Sequence, residues 1–236
     1  MTKARGDMYS WVTHCHTHLG GKCPHGCSYC WVQKLPKSVR EGKYSGPLRL
    51  YEKDLIAKLG KGKTIFIGHC TDMWAEQVPT EFISRILAHC REYPGNNYCF
   101  QSKNPGRFLD CWDELPAGSI LGTTIESDIH MPEIMVKAPS PEVRMRSMCA
   151  VTALAINGGT RKFKTFVTIE PILACNPDVL AHWMNLIKPD WVNIGADSCG
   201  HGLPEPTSQE VLRLTDLLGT YGIELREKNN LARLKK

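Results

Sequence analysis

The run Thr64-Ile-Phe-Ile-Gly-His69 opens the stretch of sequence that decides the fold. It is short, apolar and rich in β-branched and aromatic residues, which is the pattern of a strand covered on both faces. Thr80–Cys90 follows, with apolar residues at helical spacing after Pro79, and Asn97–Lys103 is a second buried run. A strand, a helix and a strand in this order predict a parallel unit with a right-handed crossover.

The same alternation continues on both sides of this unit. Further strands are predicted at Ser10–Cys15, Ile120–Glu126, Lys164–Glu170, Trp191–Asp197 and, more briefly, Ile223–Arg226. Further helices are predicted at Leu48–Leu59, Arg107–Leu115, Pro141–Ile156, Pro177–Ile187 and Ser208–Tyr221. About six strand–helix units fill the chain, which predicts a single α/β domain over residues 1–236, built as a partial (β/α)6 TIM-like barrel. An open doubly wound sheet is the alternative.

The composition excludes several classes of protein. The chain has 236 residues, of which 42% are hydrophobic and 22% charged, so it can bury a core and is not a disordered chain. It lacks the ~20-residue apolar run of a membrane span and the apolar segment of a secretory signal. We therefore expect a cytoplasmic protein that does not enter membranes. The core is expected at about residues 10–228, and the basic residues 229–236 are expected to form a solvated tail.

The net charge and the cysteine content are informative about partners and ligands. A net charge of +5 permits an anionic partner such as DNA but does not require one. The chain has 11 cysteines and no secretory signal, which argues against a disulfide framework. Most of the cysteines lie singly along the sequence, and a buried free cysteine behaves as a small hydrophobic residue.

Three cysteines are clustered in Lys22-Cys23-Pro-His-Gly-Cys27-Ser-Tyr-Cys30-Trp31, directly after the first predicted strand. The spacing C-x3-C-x2-C places three thiols in one loop, where they can bind a soft metal centre together. Structural zinc sites and [4Fe–4S] clusters normally take four protein ligands. Three ligands leave one metal position open, as a catalytic centre requires. A zinc knuckle completed by His25 or by a distant cysteine is the alternative.

This loop resembles that of the radical SAM superfamily, in which an aromatic residue, here Tyr29, precedes the last of three cysteines. The resemblance implies that Cys23, Cys27 and Cys30 hold a [4Fe–4S] cluster whose open iron binds S-adenosylmethionine. It also implies an external one-electron reductant, and cleavage of S-adenosylmethionine to a 5′-deoxyadenosyl radical that abstracts hydrogen from a substrate. The usual fold of that family is a partial (β/α)6 barrel, which agrees with the number of predicted strands.

The resemblance further implies which residues contact S-adenosylmethionine. They are Tyr29, Gly68, Asp72, Thr124, Glu126, Glu170 and Asn193. Gly68 is the one match to a Gly-Gly-Glu-like segment that binds the methionine amino group, and Asp72 is expected to replace the missing acidic residue. The other contacts lie at the ends of the later strands.

A narrower resemblance covers nearly the whole chain. It is to small phage-associated radical SAM proteins, which are distantly similar to the spore photoproduct lyases that repair DNA. It rests on the motifs Ser102-Lys-Asn-Pro-Gly-Arg107, Thr124-Ile-Glu126, Glu170-Pro-Ile-Leu173 and Gly195-Ala-Asp-Ser198, in this order. The resemblance implies a nucleobase or modified nucleotide as substrate. A peptide or a small metabolite is the alternative substrate class.

Polar residues cluster where the predicted strands end, and active sites of parallel α/β folds lie at that edge. These residues are His14, His16, His69, Asp72, Ser102, Lys103, Thr124, Glu126, Ser127, Glu170, Asn193, Asp197 and Ser198. Cys99 and Cys199 are candidate catalytic thiols that could donate a hydrogen atom to a product radical. Lys103, together with Arg107, is a candidate to hold a phosphate or carboxylate of the substrate.

The run His14-Cys-His-Thr-His18 supports a different chemistry. Imidazoles two residues apart on a strand face the same side and can share a metal, as in zinc amidohydrolases. Lys103, His69 and Asp197 would then complete the site of a hydrolase. We expect instead that these histidines line the cavity or form hydrogen bonds to the substrate. A non-enzymatic module that binds zinc or nucleic acid is a third hypothesis.

Overall fold

The computed structural model describes residues 1–6, 8–157 and 160–236 and is built around one eight-stranded sheet. The strands are β1 (Thr2–Lys3), β2 (His14–His16), β3 (Leu19–Gly20), β4 (Arg49–Leu50), β5 (Thr64–Ile67), β6 (Asn97–Ser102), β7 (Ser119–Thr124), β8 (Ile156–Asn157), β9 (Thr160–Arg161), β10 (Lys164–Ile169), β11 (Trp191–Ile194) and β12 (Leu225–Glu227). The α-helices are α1 (Lys37–Lys43), α2 (Glu52–Leu55), α3 (Thr80–Arg91), α4 (Arg107–Asp110), α5 (Pro132–Met135), α6 (Pro141–Ala155), α7 (Pro177–Ile187) and α8 (Ser208–Thr220). Among these helices, none combines the length and the apolar character needed to cross a membrane.

The order of the strands distinguishes between the two predicted architectures. In the sheet the order is β1-β2-β5-β6-β7-β10-β11-β12, and only the β1–β2 pairing is antiparallel. The parallel strands follow one another in the same order as in the chain, whereas a doubly wound sheet reverses direction at a switch point. The prediction of a single-domain α/β fold built as a partial barrel is confirmed, and within the described residues the sheet does not close.

Side chains alternate between two cores along each strand. Those on the outer face, such as Ile67 and Val167, pack beneath the helices. Those on the concave face form an inner layer near the amino ends of the strands, which comprises Val12, Cys15, Phe66, Cys99, Phe166 and Trp191. Tyr9 and Trp11 stack on each other with ring centroids 5.3 Å apart and cover this layer. The interior is therefore packed at the amino ends, and the carboxyl ends are available for a site.

Several predicted elements differ in the structure, among them the helix expected at Arg107–Leu115, which is the single turn of α4 followed by a 3-10 helix at Trp112–Glu114. Residues 48–59 were expected to form a helix, but they form β4, which pairs with β3, followed by the single turn of α2. Leu48 and Leu50 are two residues apart, as residues on one face of a strand are. Pairing with β3 therefore prevails over the helix that their spacing to Leu55 indicated. The first strand was expected to begin at Ser10 but begins at His14, because a hydrogen bond of 2.9 Å from Val12 to the Tyr9 carbonyl forms a turn there.

The basic residues 229–236 do not form the solvated tail that we expected. They form a 3-10 helix, Asn229–Lys235, that packs on α8. Leu231 is fully buried, and Lys235 pairs with Glu227 at 2.6 Å. The leucines between the basic residues are the signal in the sequence that this segment returns to the core.

Gly122 of β7 marks the closest approach within the inner layer. A Cβ atom there would lie 2.2 Å from the ring of Phe166, so we expect Gly122→Ala to lower the free energy of unfolding by at least ~1 kcal/mol through overpacking. Gly219 of α8 has nothing within 4 Å of its Cβ position, so Gly219→Ala is the matched control and should stabilise the chain by ~1 kcal/mol. Urea unfolding measures both variants. A Gly122→Ala chain as stable as the wild type would contradict this packing.

Candidate active site

A cavity of about 950 Å³ opens at the carboxyl ends of the parallel strands. Its volume is within the range of small-molecule sites. Its lining includes Cys23, Cys27, Tyr29, Cys30, Gly68, Asp72, Lys103, Thr124, Glu170 and Cys199. The structure thus brings most of the predicted site residues together at one edge of the sheet.

The three clustered cysteines all face this cavity from the loop after β3. Burial raises the pKa of the Cys23 thiol to about 12, although backbone N–H groups of His25 and Asp72 act in the opposite direction. Burial also raises the pKa of the Cys27 and Cys30 thiols. A metal centre bound here therefore displaces a proton from each thiol.

The spacing of the thiols bears on the kind of metal centre that fits. Among the described residues, the trio of ligand atoms that lie within 4.8 Å of one another consists of histidine nitrogens and does not include these sulfurs. A tetrahedral zinc ion with Zn–S bonds of ~2.3 Å holds its sulfur ligands only ~3.8 Å apart. At least one pair of the three sulfurs is therefore more than 4.8 Å apart, which fits a multinuclear cluster in the open cavity better than a single zinc ion.

Asp72 fastens the cysteine loop to the strands. Its Oδ2 accepts hydrogen bonds from His25 Nε2 at 2.8 Å and from the Ser102 hydroxyl and the Lys103 backbone N–H at 2.9 Å each. Its Oδ1 accepts the backbone N–H of Trp74 at 2.9 Å. Burial raises the pKa of Asp72, but these donors outweigh burial and hold the pKa below its ordinary value. Asp72 therefore positions the loop, and its predicted contact with S-adenosylmethionine stays a prediction.

Glu126 is fully buried behind the cavity wall and joins several groups. Its Oε2 accepts a hydrogen bond of 2.6 Å from the Arg144 guanidinium, and its Oε1 contacts the Lys103 ammonium and the Tyr29 hydroxyl. Burial raises the pKa of Glu126, but the two cations outweigh burial and hold the pKa well below its ordinary value. Arg144 also donates to the Thr124 carbonyl at 2.8 Å, so this network joins the cysteine loop to β7 and α6.

Some of the remaining candidates reach the cavity and others do not. Gly68, Thr124, Glu170 and Cys199 line it. Asn193 is buried, and its side-chain amide donates to the Thr168 hydroxyl at 3.3 Å.

Cys99 and Arg107 lie away from the cavity as well. Cys99 is fully buried in the inner layer, next to the aromatic residues. The Arg107 guanidinium does not face a substrate phosphate, as we had proposed, but donates to the carbonyls of Ala75 and Val78 at 2.8 Å each. It thereby holds the segment before α3.

The histidines of the first strand do not line the cavity, contrary to our expectation. His14 and His16 pair with Ile65 and Ile67, whose side chains lie on the outer face of the sheet. His14 Nδ1 is 2.9 Å from the Thr13 hydroxyl at the surface. The arrangement of an amidohydrolase, with His14 and His16 facing Lys103 and Asp197 inside the barrel, is therefore not formed.

Sequence analysis missed several residues of the cavity. Lys3 and Arg5 reach it because β1 pairs with β2, and Lys228 reaches it from the end of β12 and pairs with Glu170 at 2.9 Å. Trp31 also lines the cavity and stacks on His69 with ring centroids 5.6 Å apart. The first three have no local signal, since long-range strand pairing places them. The position of Trp31 directly after Cys30 was a usable signal.

Comparisons with known proteins bear on the fold. No protein-family profile matches the chain, and no curated protein sequence matches it either. A structure of spore photoproduct lyase is similar, with a TM-score of 0.60 at 9% sequence identity, over 96% of this chain and 79% of that chain. Another structure of that enzyme, with bound AdoMet and dinucleoside spore photoproduct, has a TM-score of 0.54 at 10% identity, over 91% of this chain and 63% of that chain.

A third similar structure is SuiB of Streptococcus suis bound to S-adenosylmethionine. Its TM-score is 0.52 at 9% identity, over 93% of this chain and 51% of that chain, so this chain spans about half the length of SuiB. Spore photoproduct lyase and SuiB are radical SAM enzymes, and the chain shares their fold. At these identities the similarity establishes the fold alone.

Proposed function

We propose that this protein is a radical SAM enzyme that acts on a nucleobase or modified nucleotide. The observation that carries the proposal is that Cys23, Cys27 and Cys30 face one cavity at the carboxyl ends of the strands, in a fold shared with radical SAM enzymes. In this proposal the three thiols hold a [4Fe–4S] cluster, with S-adenosylmethionine at its open iron. When bound and reduced by an external one-electron donor, these groups supply a 5′-deoxyadenosyl radical. Thiolate ligands suit a reducing compartment, so we propose a cytoplasmic location.

The residues of the chain position these groups and balance their charge. Lys103 and Arg144 carry two positive charges and Glu126 one negative charge, so the network beside the cysteine loop has a net charge of +1. That charge favours thiolates and a carboxylate of S-adenosylmethionine in the cavity. Gly68 has φ of +77° and lies against Thr71, where a Cβ atom would come within 3.3 Å of a carbonyl oxygen. The small residue lets the backbone at the end of β5 approach a ligand closely.

Anaerobic reconstitution with iron and sulfide tests the proposal. The wild type should become brown, bind ~4 iron atoms per chain, and produce 5′-deoxyadenosine after reduction and addition of S-adenosylmethionine. Cys30→Ala should show none of these three properties. Cys149→Ala changes a half-buried cysteine outside the cavity lining and should behave as the wild type. A wild type that binds zinc in the loop and leaves S-adenosylmethionine intact would refute the proposal.

The charge of the cavity lining supports an anionic substrate. Exposed cations line the cavity, namely Lys3, Arg5, Lys22 and Lys34. The acidic residues of the lining have partners within the protein, since Asp72 accepts from His25, Glu170 pairs with Lys228, and Asp197 accepts from His201.

The aromatic pair of the cavity lining supports a nucleobase. Trp31 is 43% exposed and stacked on His69, so its free face can stack on a base. Such stacking is worth ~1–3 kcal/mol per base in proteins that bind single strands. The dinucleoside ligand of spore photoproduct lyase is consistent with a substrate of this class.

Removing cations of the cavity lining should reduce the salt dependence of nucleic-acid binding. For a single-stranded oligonucleotide, we expect Arg5→Ala with Lys34→Ala to lower the slope of log K against log salt by ~1.4, from ~0.7 per phosphate contact. Lys58→Ala with Lys61→Ala is the matched control, because these exposed lysines precede β5 and do not line the cavity. Fluorescence anisotropy at several salt concentrations measures the slopes. Equal effects of both pairs, or no binding, would favour a peptide or small-metabolite substrate.

A further inference from the structure

Three histidines form a buried cluster on the outer face of the sheet. His16 lies on β2, His18 lies between β2 and β3, and His89 lies on α3. None is more than 3% exposed, and none lines the cavity described above. One nitrogen of each ring lies within 4.8 Å of a nitrogen of each of the other two rings.

Hydrogen bonds establish which ring nitrogens carry the protons in two of these histidines. His16 Nε2 is 2.9 Å from the carbonyl oxygen of Asp54, and His89 Nε2 is 2.9 Å from that of Ala57. A carbonyl oxygen only accepts, so both Nε2 atoms donate. In the neutral imidazole, Nδ1 of each of these two rings then carries a lone pair and no hydrogen. Burial lowers the pKa of His16 to about 4 and keeps that ring neutral.

One ring nitrogen of His18 has no hydrogen-bond partner in the cluster. Its Nε2 is 2.8 Å from His89 Nδ1, while its own Nδ1 is buried with no hydrogen-bond partner. A buried polar nitrogen without a partner costs free energy and calls for an explanation. A cation bound to His18 Nδ1 would give that atom a partner, in exchange for the single His18–His89 hydrogen bond. The carbonyls of Asp54 and Ala57 already occupy the position of outer partners that orient metal-binding histidines.

We propose that His16, His18 and His89 bind a divalent cation of the zinc class. Neutral imidazole is a preferred ligand of zinc, copper and nickel. A tetrahedral zinc ion with Zn–N bonds of ~2.0–2.1 Å holds its nitrogens ~3.4 Å apart, which small rotations of the rings achieve. The nearby Lys43 ammonium is paired with the Asp54 carboxylate at 2.6 Å, so its charge is balanced.

This ion clamps β2 and the segment after it to α3, shortly before the cysteine loop. His18 precedes Cys23 by five residues, with β3 between them, so the clamp fixes the segment that leads into the loop. The site is separate from the cysteine ligands and does not depend on the function proposed above. Zinc bound at the histidines is therefore compatible with iron bound at the cysteines, and the two metals report on different sites.

Zinc titration of the full chain carrying Cys23→Ser, Cys27→Ser and Cys30→Ser tests the proposal. We expect one equivalent of zinc, with X-ray absorption showing only nitrogen or oxygen neighbours at ~2.0–2.1 Å. Adding His18→Ala should weaken binding by more than ~100-fold, beyond the loss that removal of an outer partner causes. His14→Ala is the matched control and should bind as before, because its ring lies at the surface outside the cluster.

Three results would overturn the site. They are a folded triple-serine chain that binds no zinc, sulfur neighbours at ~2.3 Å, and zinc binding that survives His18→Ala in a folded chain. Far-UV circular dichroism establishes folding in each case. The absorption spectrum is taken with all three histidines present, so it decides the matter even where His18→Ala does not fold.

Discussion

Replacing Glu126 by glutamine is expected to lower the free energy of unfolding by ~3–5 kcal/mol, the cost of removing one partner from a buried ion pair. The change leaves two cations, Lys103 and Arg144, without their carboxylate. Arg144 is fully buried and already has one guanidinium nitrogen without a hydrogen-bond partner, so it cannot turn to water for compensation. Lys103 lines the cavity, where its ammonium can reach water. Losing the carboxylate should therefore cost less free energy at Lys103 than at Arg144.

Urea unfolding at neutral pH measures this effect. Glu142→Gln is the matched control, because it removes a carboxylate that pairs with Arg146 at 2.6 Å on the exposed face of α6. The control should change stability by no more than ~0.5 kcal/mol. A loss below ~1 kcal/mol for Glu126→Gln would mean that the buried network does not exist in solution.

The Glu126→Gln variant also tests how the stability of the fold depends on pH. The pKa of Glu126 is lowered in the folded state from an ordinary value of 4.5, so its ionisation contributes stability that is fully present above pH 4.5. This contribution is lost as pH falls through the lower pKa of the folded state. The stability difference between the wild type and Glu126→Gln should therefore be constant from neutral pH down to about pH 5 and should shrink at more acid pH. A difference that grew on acidification would contradict the direction of the pKa shift.

The central strands could be predicted because parallel strands buried on both faces are continuous apolar runs. The strands β5, β6, β10 and β11 begin at the predicted residues Thr64, Asn97, Lys164 and Trp191. Residues 48–59 could not be assigned in this way. The spacing of their leucines fits both a strand and a helix, and only the pairing of Leu50 with Leu19 decides for the strand.

The cysteine site was predictable because its ligands lie within one short loop and their spacing alone brings them together. The groups that hold the loop were not, because the contacts of Asp72 with His25 and of Glu126 with Arg144 join residues 47 and 18 positions apart. His16 shows a further limit. A period of two tells which strand residues share a face, but not whether that face is concave or convex, and the tertiary fold turned His16 away from the cavity.

Replacing Asp72 by asparagine is expected to weaken iron retention in the cysteine loop by ~10–100-fold, the range found when an outer partner of a metal site is removed. The two carboxylate oxygens of Asp72 together accept four hydrogen bonds, whereas asparagine has no charge and its amide nitrogen accepts no hydrogen bond. The rate of iron release to a chelator measures the effect. Asp197→Asn is the matched control, since Asp197 lines the same cavity and accepts from His201 at 2.8 Å, but holds the loop after β11.

Asp72→Asn has two opposing effects on iron binding, and the larger effect decides whether iron is released faster or more slowly. The Asp72 carboxylate raises the pKa of the Cys23 thiol, so its removal favours the thiolate that binds iron. Against this, the backbone N–H groups of His25 and Asp72 face the Cys23 sulfur only while the loop is held in place. We expect the loss of position to prevail, because the substitution removes the charge that strengthens all four hydrogen bonds to Asp72 and leaves an acceptor on one side only, and charge-assisted hydrogen bonds are worth ~1.5–3 kcal/mol each.

A double-mutant cycle with His25→Ala separates the two effects, because that variant cuts the same tether and leaves the Asp72 charge in place. If the tether prevails, each single variant accelerates iron release, and the double variant releases iron little faster than Asp72→Asn alone. If the charge prevails, Asp72→Asn slows iron release while His25→Ala accelerates it. The second outcome would assign Asp72 to tuning the thiol rather than to positioning the loop.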